Sequence, residues 1–315
     1  MGEPIVTVSG AINWDILLYI SRFGKPGEEV PVSRIERVPG GKGANVAVAA
    51  SRILGEGRCA IVGGIGSDEI GRKQIEVFQQ EGVDTRWLTC FDGVESGQAY
   101  ILVDEKGENQ INTYFGANIT LRKEDAERLK DLLAKAKFLA MMDPPIEFAE
   151  ALLSSAEKAT KIWSPGVRVY SDRKAVILHL KEIDYLVLNE HELLDLSGEI
   201  DTFKSLRKLI EEHPTLKVIV TQGSRGVTLY KVDTTYTEEG IDLGRIGLRV
   251  ANTTGCGDAF VGAFISHLAM GMSERSALRM ANLAAALKAS RYETRGSPTR
   301  KELDHYRRML GWQES

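Results

Sequence analysis

A chain of 315 residues with 43% hydrophobic residues can bury a sizeable core, which excludes disordered and fibrous classes. Its 40 basic and 44 acidic residues leave a net charge of −4, mixed along the chain without a basic stripe, so no nucleic-acid partner is expected. Three widely spaced cysteines and five scattered histidines form no metal-ligand pattern and fit a reducing cytoplasm.

Met1-Gly2-Glu3-Pro4 leads straight into an apolar strand, Ile5–Ser9, with no leader-like segment, and secretion is not expected. Just beyond it Asn13 and Asp15, two apart on an extended chain, point to one face; a carboxylate beside an amide suits a polyol, and an Asx turn would use the same residues. Trp14–Ile20 and Val30–Val38, joined through Gly24-Lys25-Pro26-Gly27, read as an antiparallel pair. Gly40-Gly41-Lys42-Gly43 then precedes a helix, Ala44–Leu54, placing bare backbone and one ammonium at a helix start. Gly43 stands where a Walker A loop needs Ser or Thr, and a plain tight turn is the alternative.

A strand at Cys59–Val62 and a helix at Glu69–Glu81 follow. Between them Gly64-Ile65-Gly66 begins like a dinucleotide fingerprint, but Glu69 replaces its third glycine. A second antiparallel pair, Gly97–Val103 with Asn109–Phe115, carries Gln98, Tyr100 and Tyr114, which are expected to close over a ligand or stack on a ring. A helix at Lys123–Ala136 and a strand at Phe138–Met142 come next. Asp143 then lies where open α/β sheets bind ligands, and Pro144-Pro145 stops the strand before a helix at Pro145–Lys158. Arg168 faces ligand or solvent.

After a strand at Tyr185–Leu188, Asn189-Glu190-His191-Glu192 has the spacing of a capping box. A helix at Thr202–Glu212 leads to strands Lys217–Thr221 and Val227–Lys231, joined through Gly223, Ser224 and Gly226. In Asn252-Thr253-Thr254-Gly255-Cys256-Gly257-Asp258 two glycines and an acid open an apolar helix that Gly271 ends. The amides of Gly255, Cys256 and Gly257 can converge on an anion, and Asp258 is either a proton acceptor or a helix cap. Ala259 to Ser273, the longest uncharged stretch, is too short to cross a bilayer, so no membrane partner is expected. Helices Glu274–Ser290 and Arg300–Leu310 close the chain. The alternation of strands and helices predicts an α/β fold with a mainly parallel sheet covered on both faces.

Gly40 to Ala47 and Asn252 to Phe260 resemble the N- and C-terminal signatures of the ribokinase-like, or PfkB-type, sugar kinases. The likeness runs from Ile5 to about Pro298 and is strongest to the ribokinase branch. It implies one three-layer α/β/α domain with a discontinuous lid at about 14–38 and 97–115, which often forms a dimer contact. ATP and Mg²⁺ are the implied cofactors, and the implied acceptor is a primary hydroxyl of a ribose-like sugar, or alternatively a nucleoside. Asp258 becomes the general base beside an anion hole at Gly255, Cys256 and Gly257. Asn13, Asp15, Gly41, Lys42, Gly43, Asn45, Gln98, Asp143 and Arg168 fall on the sugar side. Asn189, Thr221, Gly223, Ser224, Gly226 and Asn282 fall on the nucleotide side, with Glu192 acting on Mg²⁺ through water. Asp143 stands where ribokinases carry a glutamate. Asn252 stands where the family usually has an aspartate that helps hold an activating monovalent cation, so weak or absent K⁺ activation is expected.

Overall fold

The structure is a computed structural model and describes residues 3–312. The chain opens with β1 (Val6–Gly10), β2 (Asn13–Ile20), β3 (Val32–Gly40), α1 (Lys42–Leu54), β4 (Cys59–Gly66) and α2 (Glu69–Gln80). It continues through β5 (Leu88–Phe91), β6 (Gly97–Val103), β7 (Asn109–Tyr114), α3 (Lys123–Glu127), α4 (Lys130–Lys135) and β8 (Phe138–Met142). Then come α5 (Ile146–Ser155), β9 (Thr160–Ser164), α6 (Arg168–Ser171), α7 (Arg173–His179), β10 (Tyr185–Asn189), α8 (Glu190–Ser197) and α9 (Thr202–Glu212). The last elements are β11 (Lys217–Thr221), β12 (Gly226–Tyr230), β13 (Thr235–Glu239), α10 (Cys256–Ala269), α11 (Glu274–Ala289) and α12 (Arg300–Met309).

Among the described residues, nine strands form one sheet in the order β13-β12-β11-β10-β9-β8-β1-β4-β5, parallel except that β12 runs antiparallel to both β11 and β13. Parallel strands covered on both faces read as unbroken apolar runs, and β8 shows why. Ala140 and Met142 enter the core under α1, α10 and α11, while Leu139 and Met141 enter the one under α5, α8 and α9. Helix α10 is buried from Asp258 to His267. It lies so close to α1 that a Cβ at Gly262 would stand 2.5 Å from the Ala49 Cβ.

Three parts of the fold depart from the sequence reading. The two expected strand pairs exist, but β2 also pairs with β6 in parallel, fusing them into one four-stranded sheet, β3-β2-β6-β7. The helix expected over 123–136 is two short ones. Leu129 N–H bonds the Ala126 carbonyl three residues back, and this tight turn suits apolar residues three apart, Ala126, Leu129 and Leu132, which all reach the core. The short strands β5, β9 and β13 and helices α6 and α7 carry too little periodicity to be read.

Candidate active site

The main sheet changes winding direction at β1, which has β4 on one side and β8 on the other. Such a switch point leaves a crevice beyond the carboxyl ends of the strands. A cleft of about 520 Å³ opens there, with Ala11, Asp143, Ser164, Asn189 and Thr221, at or just past the ends of β1, β8, β9, β10 and β11, in its wall. Asn13, Asp15, Gly41, Lys42 and Asn45 line it from the β2 and α1 side, and Gly255, Gly257 and Asp258 from the α10 side. Asn13 and Asp15 alternate with Trp14 along β2, so both turn inward, where they are buried.

Asp258 is buried beside Asn45, whose Nδ2 donates to its Oδ2 at 2.8 Å. Burial raises its pKa; the Asn45 hydrogen bond and the charges of Lys42, Arg295 and Lys288 work the other way. Arg295 donates to Asn45 Oδ1 at 3.1 Å and to the Gly40 carbonyl at 2.7 Å, so it clamps Asn45 between the base of β3 and Asp258. Asp15 is pushed up to about 7 by burial, against the Arg295 charge and with that of Asp258. Asp143 is pushed up to about 6 by burial, with the Lys42 ammonium 3.6 Å from Oδ2 opposing it. Its backbone has φ 52°, the only positive φ outside glycine among the described residues, and its buried Oδ1 has no hydrogen-bond partner there. Strain of about 1–3 kcal/mol held together with an unpaired acceptor marks a ligand site.

A second cleft, about 300 Å³ and largely apolar, lies beyond the α10 start. Thr221, Gly223, Ser224 and Gly226 form one wall, Asn282 and its alanine neighbours on α11 another, and Cys256 and Phe260 the floor. The Asn282 amide is fixed on the Glu239 carbonyl at 2.7 Å. Among the described residues only Thr221 and Gly257 line both clefts, so the Gly255–Asp258 turn stands on their border with Asp258 facing the polar cleft and Cys256 the apolar one. The Cys256 N–H closes this turn on the Thr253 carbonyl at 3.2 Å, whereas no backbone acceptor among the described residues engages the amides of Gly255 and Gly257. Those two donors are open to an anion at the positive end of a buried helix.

The profile of the pfkB family carbohydrate kinases matches residues 5–301. The chain belongs to the pfkB family. It is 31% identical over 307 residues to a ribokinase of Haemophilus influenzae, covering 94% of this chain and 96% of that one. To a Staphylococcus aureus ribokinase it is 29% identical over 300 residues, covering 93% and 95%. Thermotoga maritima ribokinase superposes with a TM-score of 0.85 at 28% identity over 97% of this chain and 99% of that one. An Arabidopsis thaliana ribokinase solved with ribose and ATP superposes with a TM-score of 0.84 at 25% identity, covering 99% and 100%. This pfkB kinase is therefore a phosphotransferase with an alcohol group as acceptor.

Against that family assignment, the kinase corrects several residue readings. Gln98 does not face the cleft: on β6 it shares the outer face with Tyr100, its side-chain partner at 3.1 Å, while Ala99 and Ile101 turn inward. Tyr114 on β7 is outward for the same reason of strand parity. Gly43 is a packing residue, because a Cβ there would stand 2.5 Å from the Gly10 carbonyl carbon. Arg168 lies behind Asp143, with Nε 3.4 Å from the Asp143 carbonyl and NH1 3.2 Å from Asp172; with Asp143 it lines a narrow neighbouring cavity rather than the main cleft. Cys256 offers no free amide, and burial pushes its thiol up to about 11.

Sequence reasoning missed Arg295, Gln74, Asn118 and Lys288. Gln74 on α2 donates to the Asn13 carbonyl and receives Arg295, while Asn118 donates to Asn13 Oδ1 at 2.8 Å, so both hold the polar floor of the cleft. Lys288 carried the one available signal, a charge inside the apolar run Ala284-Ala285-Ala286-Leu287-Lys288-Ala289.

Proposed function

We propose that this kinase moves the γ-phosphoryl group of ATP to a primary hydroxyl of a ribose-like sugar, with Asp258 as the general base. The observation that carries the reading is the border position of the Gly255–Asp258 turn between a polar and an apolar cleft. The polar cleft suits a polyol, held by Asn13, Asp15, Asn45, Lys42 and Asp143; the apolar one suits adenine beside Thr221, Gly223, Ser224, Gly226 and Asn282. The ribose and ATP bound by the Arabidopsis relative support both assignments. The acceptor hydroxyl gives its proton to Asp258 as its oxygen attacks, and the Gly255 and Gly257 amides stabilise the charge growing on the transferred group.

Asn189 and Glu192 reach the polar cleft through a capping box, each side chain accepting the other's backbone N–H at 2.9 Å. That use occupies Oε2 of Glu192, while Oε1 has no hydrogen-bond partner among the described residues. No group of three or more His, Cys, Asp or Glu side chains able to hold a metal is present among them. One carboxylate in a phosphate cleft fits Mg²⁺, which keeps most of its waters and binds chiefly through phosphates. Glu192 would hold it through water, and the ion would supply positive charge against the phosphates.

The cleft side of the small sheet favours a sugar over a nucleoside. Ala99, Ile101, Ile111, Thr113 and Phe115 face inward, so of the aromatic residues on β6 and β7 or just after them only Phe115 is placed to meet a base. Two carboxylates and one lysine also disfavour a phosphorylated acceptor, which would call for several cations. Measuring kcat/KM for ribose, cytidine, adenosine and ribose 1-phosphate tests the choice. Ribose is expected to lead, and a preference above about tenfold for another acceptor, 1.4 kcal/mol of transition-state binding, overturns it.

The small sheet is proposed to serve as a lid and, by its outer face, as a homodimer contact. Ile35, Tyr100 and Tyr114 on that face are exposed, and Trp14, Ile16 and Leu18 are half-buried. Sedimentation at micromolar concentration should show a dimer that Tyr100→Glu dissociates; a wild-type monomer sinks this contact. Among the described residues no helix is long and apolar enough to cross a membrane. The three cysteines are unpaired, which supports the proposed cytoplasmic setting.

A further inference from the structure

Lys288, near the end of α11, is 0% exposed, yet both hydrogen bonds of its ammonium go to backbone carbonyls: Asn252 at 2.8 Å and Arg291 at 3.3 Å. Among the described residues no carboxylate is paired with it. A buried ammonium without a carboxylate partner is costly, so it persists only where the surrounding structure holds it. Its two acceptors sit on the two segments that frame the anion-binding turn. Asn252 also accepts the Thr254 N–H on its side-chain oxygen at 2.9 Å, directly before Gly255. Arg291 begins the loop whose Thr294 carbonyl packs on Gly255 and whose Arg295 clamps Asn45. One ammonium thereby ties both walls of the turn together, and its charge acts on Cys256 and Asp258.

Carbonyl oxygens converging on a single positive charge are also the surroundings in which proteins hold alkali cations. The amide of Asn252 is already engaged here, since its Nδ2 donates to the Tyr292 carbonyl at 2.8 Å and its Oδ1 accepts the Thr254 N–H, and it carries no charge to offer a second cation. We propose that Lys288 is a tethered cation of the anion-binding turn, a positioning residue whose ammonium replaces any dissolved monovalent cation in phosphoryl transfer. The proposal rests on the kinase reading above. Burial lowers the pKa of Lys288, and the Arg291 charge adds to that; the carboxylates of Glu293 and Asp258 work the other way.

The test compares the full-length enzyme in choline, Na⁺, K⁺ and NH₄⁺ chlorides at constant ionic strength, with ribose and MgATP. Wild-type kcat is expected to vary by less than about twofold. Lys288→Ala opens a cation-sized gap and should lose about tenfold or more in kcat in choline, with little change in KM, and regain much of it in NH₄⁺ or K⁺. Lys288→Met fills the gap without charge and should stay slow in every salt. A wild type several-fold faster in K⁺ than in choline overturns the proposal, as does a folded Lys288→Ala that is either fully active or not rescued by small cations. Should Lys288→Ala fail to fold, a Lys288→Met enzyme with wild-type kcat is equally fatal. A wild type inactive on every acceptor strikes the kinase reading instead. The tethered cation is then read from melting temperature: NH₄⁺ or K⁺ should raise that of Lys288→Ala and leave wild type unmoved, and an equal response of the two overturns it.

Discussion

Asp258→Asn should lower kcat by roughly 10²–10⁴ while KM for both substrates changes little and the melting temperature does not fall. The exchange is nearly isosteric and leaves a carbonyl oxygen to accept from Asn45 Nδ2. It removes a charge that burial penalises and that stands near Asp15 and Asp143. A group kept for function at a cost in stability is expected to relax the fold when neutralised. A helix cap would behave differently, because Asn caps about as well as Asp and turnover would be spared, so kcat separates base from cap. The pH profile adds a second check. Catalysis needs the carboxylate, and burial has moved its pKa upward, so the acid limb of kcat/KM should lie above the ordinary aspartate range. The Asn45 hydrogen bond favours the charged form; Asn45→Leu should therefore shift that limb to higher pH. A limb that stays in place, or an Asp258→Asn enzyme near wild-type kcat, rules the assignment out.

What the sequence makes legible is what backbone periodicity and local motifs encode. The strand at Phe138–Met142 and the placement of Asp143 beyond it follow from an apolar run stopped by two prolines, and the structure has both. The i, i+2 spacing of Asn13 and Asp15 likewise decides their common face. Parity fails for Gln98 because register is set by pairing: Asp15 is opposite Ala99, so the inward positions of β6 are the odd ones. Residues that act through long-range contacts leave still less trace. Arg295 meets Asn45 250 positions away, and in sequence it is one arginine in a loop. Lys288 was visible as a charge in an apolar helix, but its use depends on carbonyls from two other segments.

The two glycines of the anion-binding turn, alike in the sequence, should respond differently to the same added methyl group. Gly255 has φ 84°, and a Cβ there would run into the Thr294 carbonyl, so Gly255→Ala carries strain of about 1–3 kcal/mol whether or not a ligand is present. The turn can relieve that strain only by moving, which displaces the open Gly255 amide and loosens the start of α10. A drop of roughly 10²–10³ in kcat is expected, the worth of one anion-hole donor, together with a lower melting temperature. Gly257 has an ordinary backbone, and a Cβ there would meet nothing within 4 Å. Gly257→Ala should therefore melt like wild type. It lies on the border of both clefts, however, where the added methyl would project toward the transferring phosphate. Its effect should appear only with ligand, as weaker ATP binding and slower turnover. Melting curves with and without ATP, set beside kcat for each variant, decide the matter. Equal destabilisation of the two would mean that neither glycine is kept for a ligand, and a Gly257→Ala enzyme with wild-type kinetics would move the phosphate away from this turn.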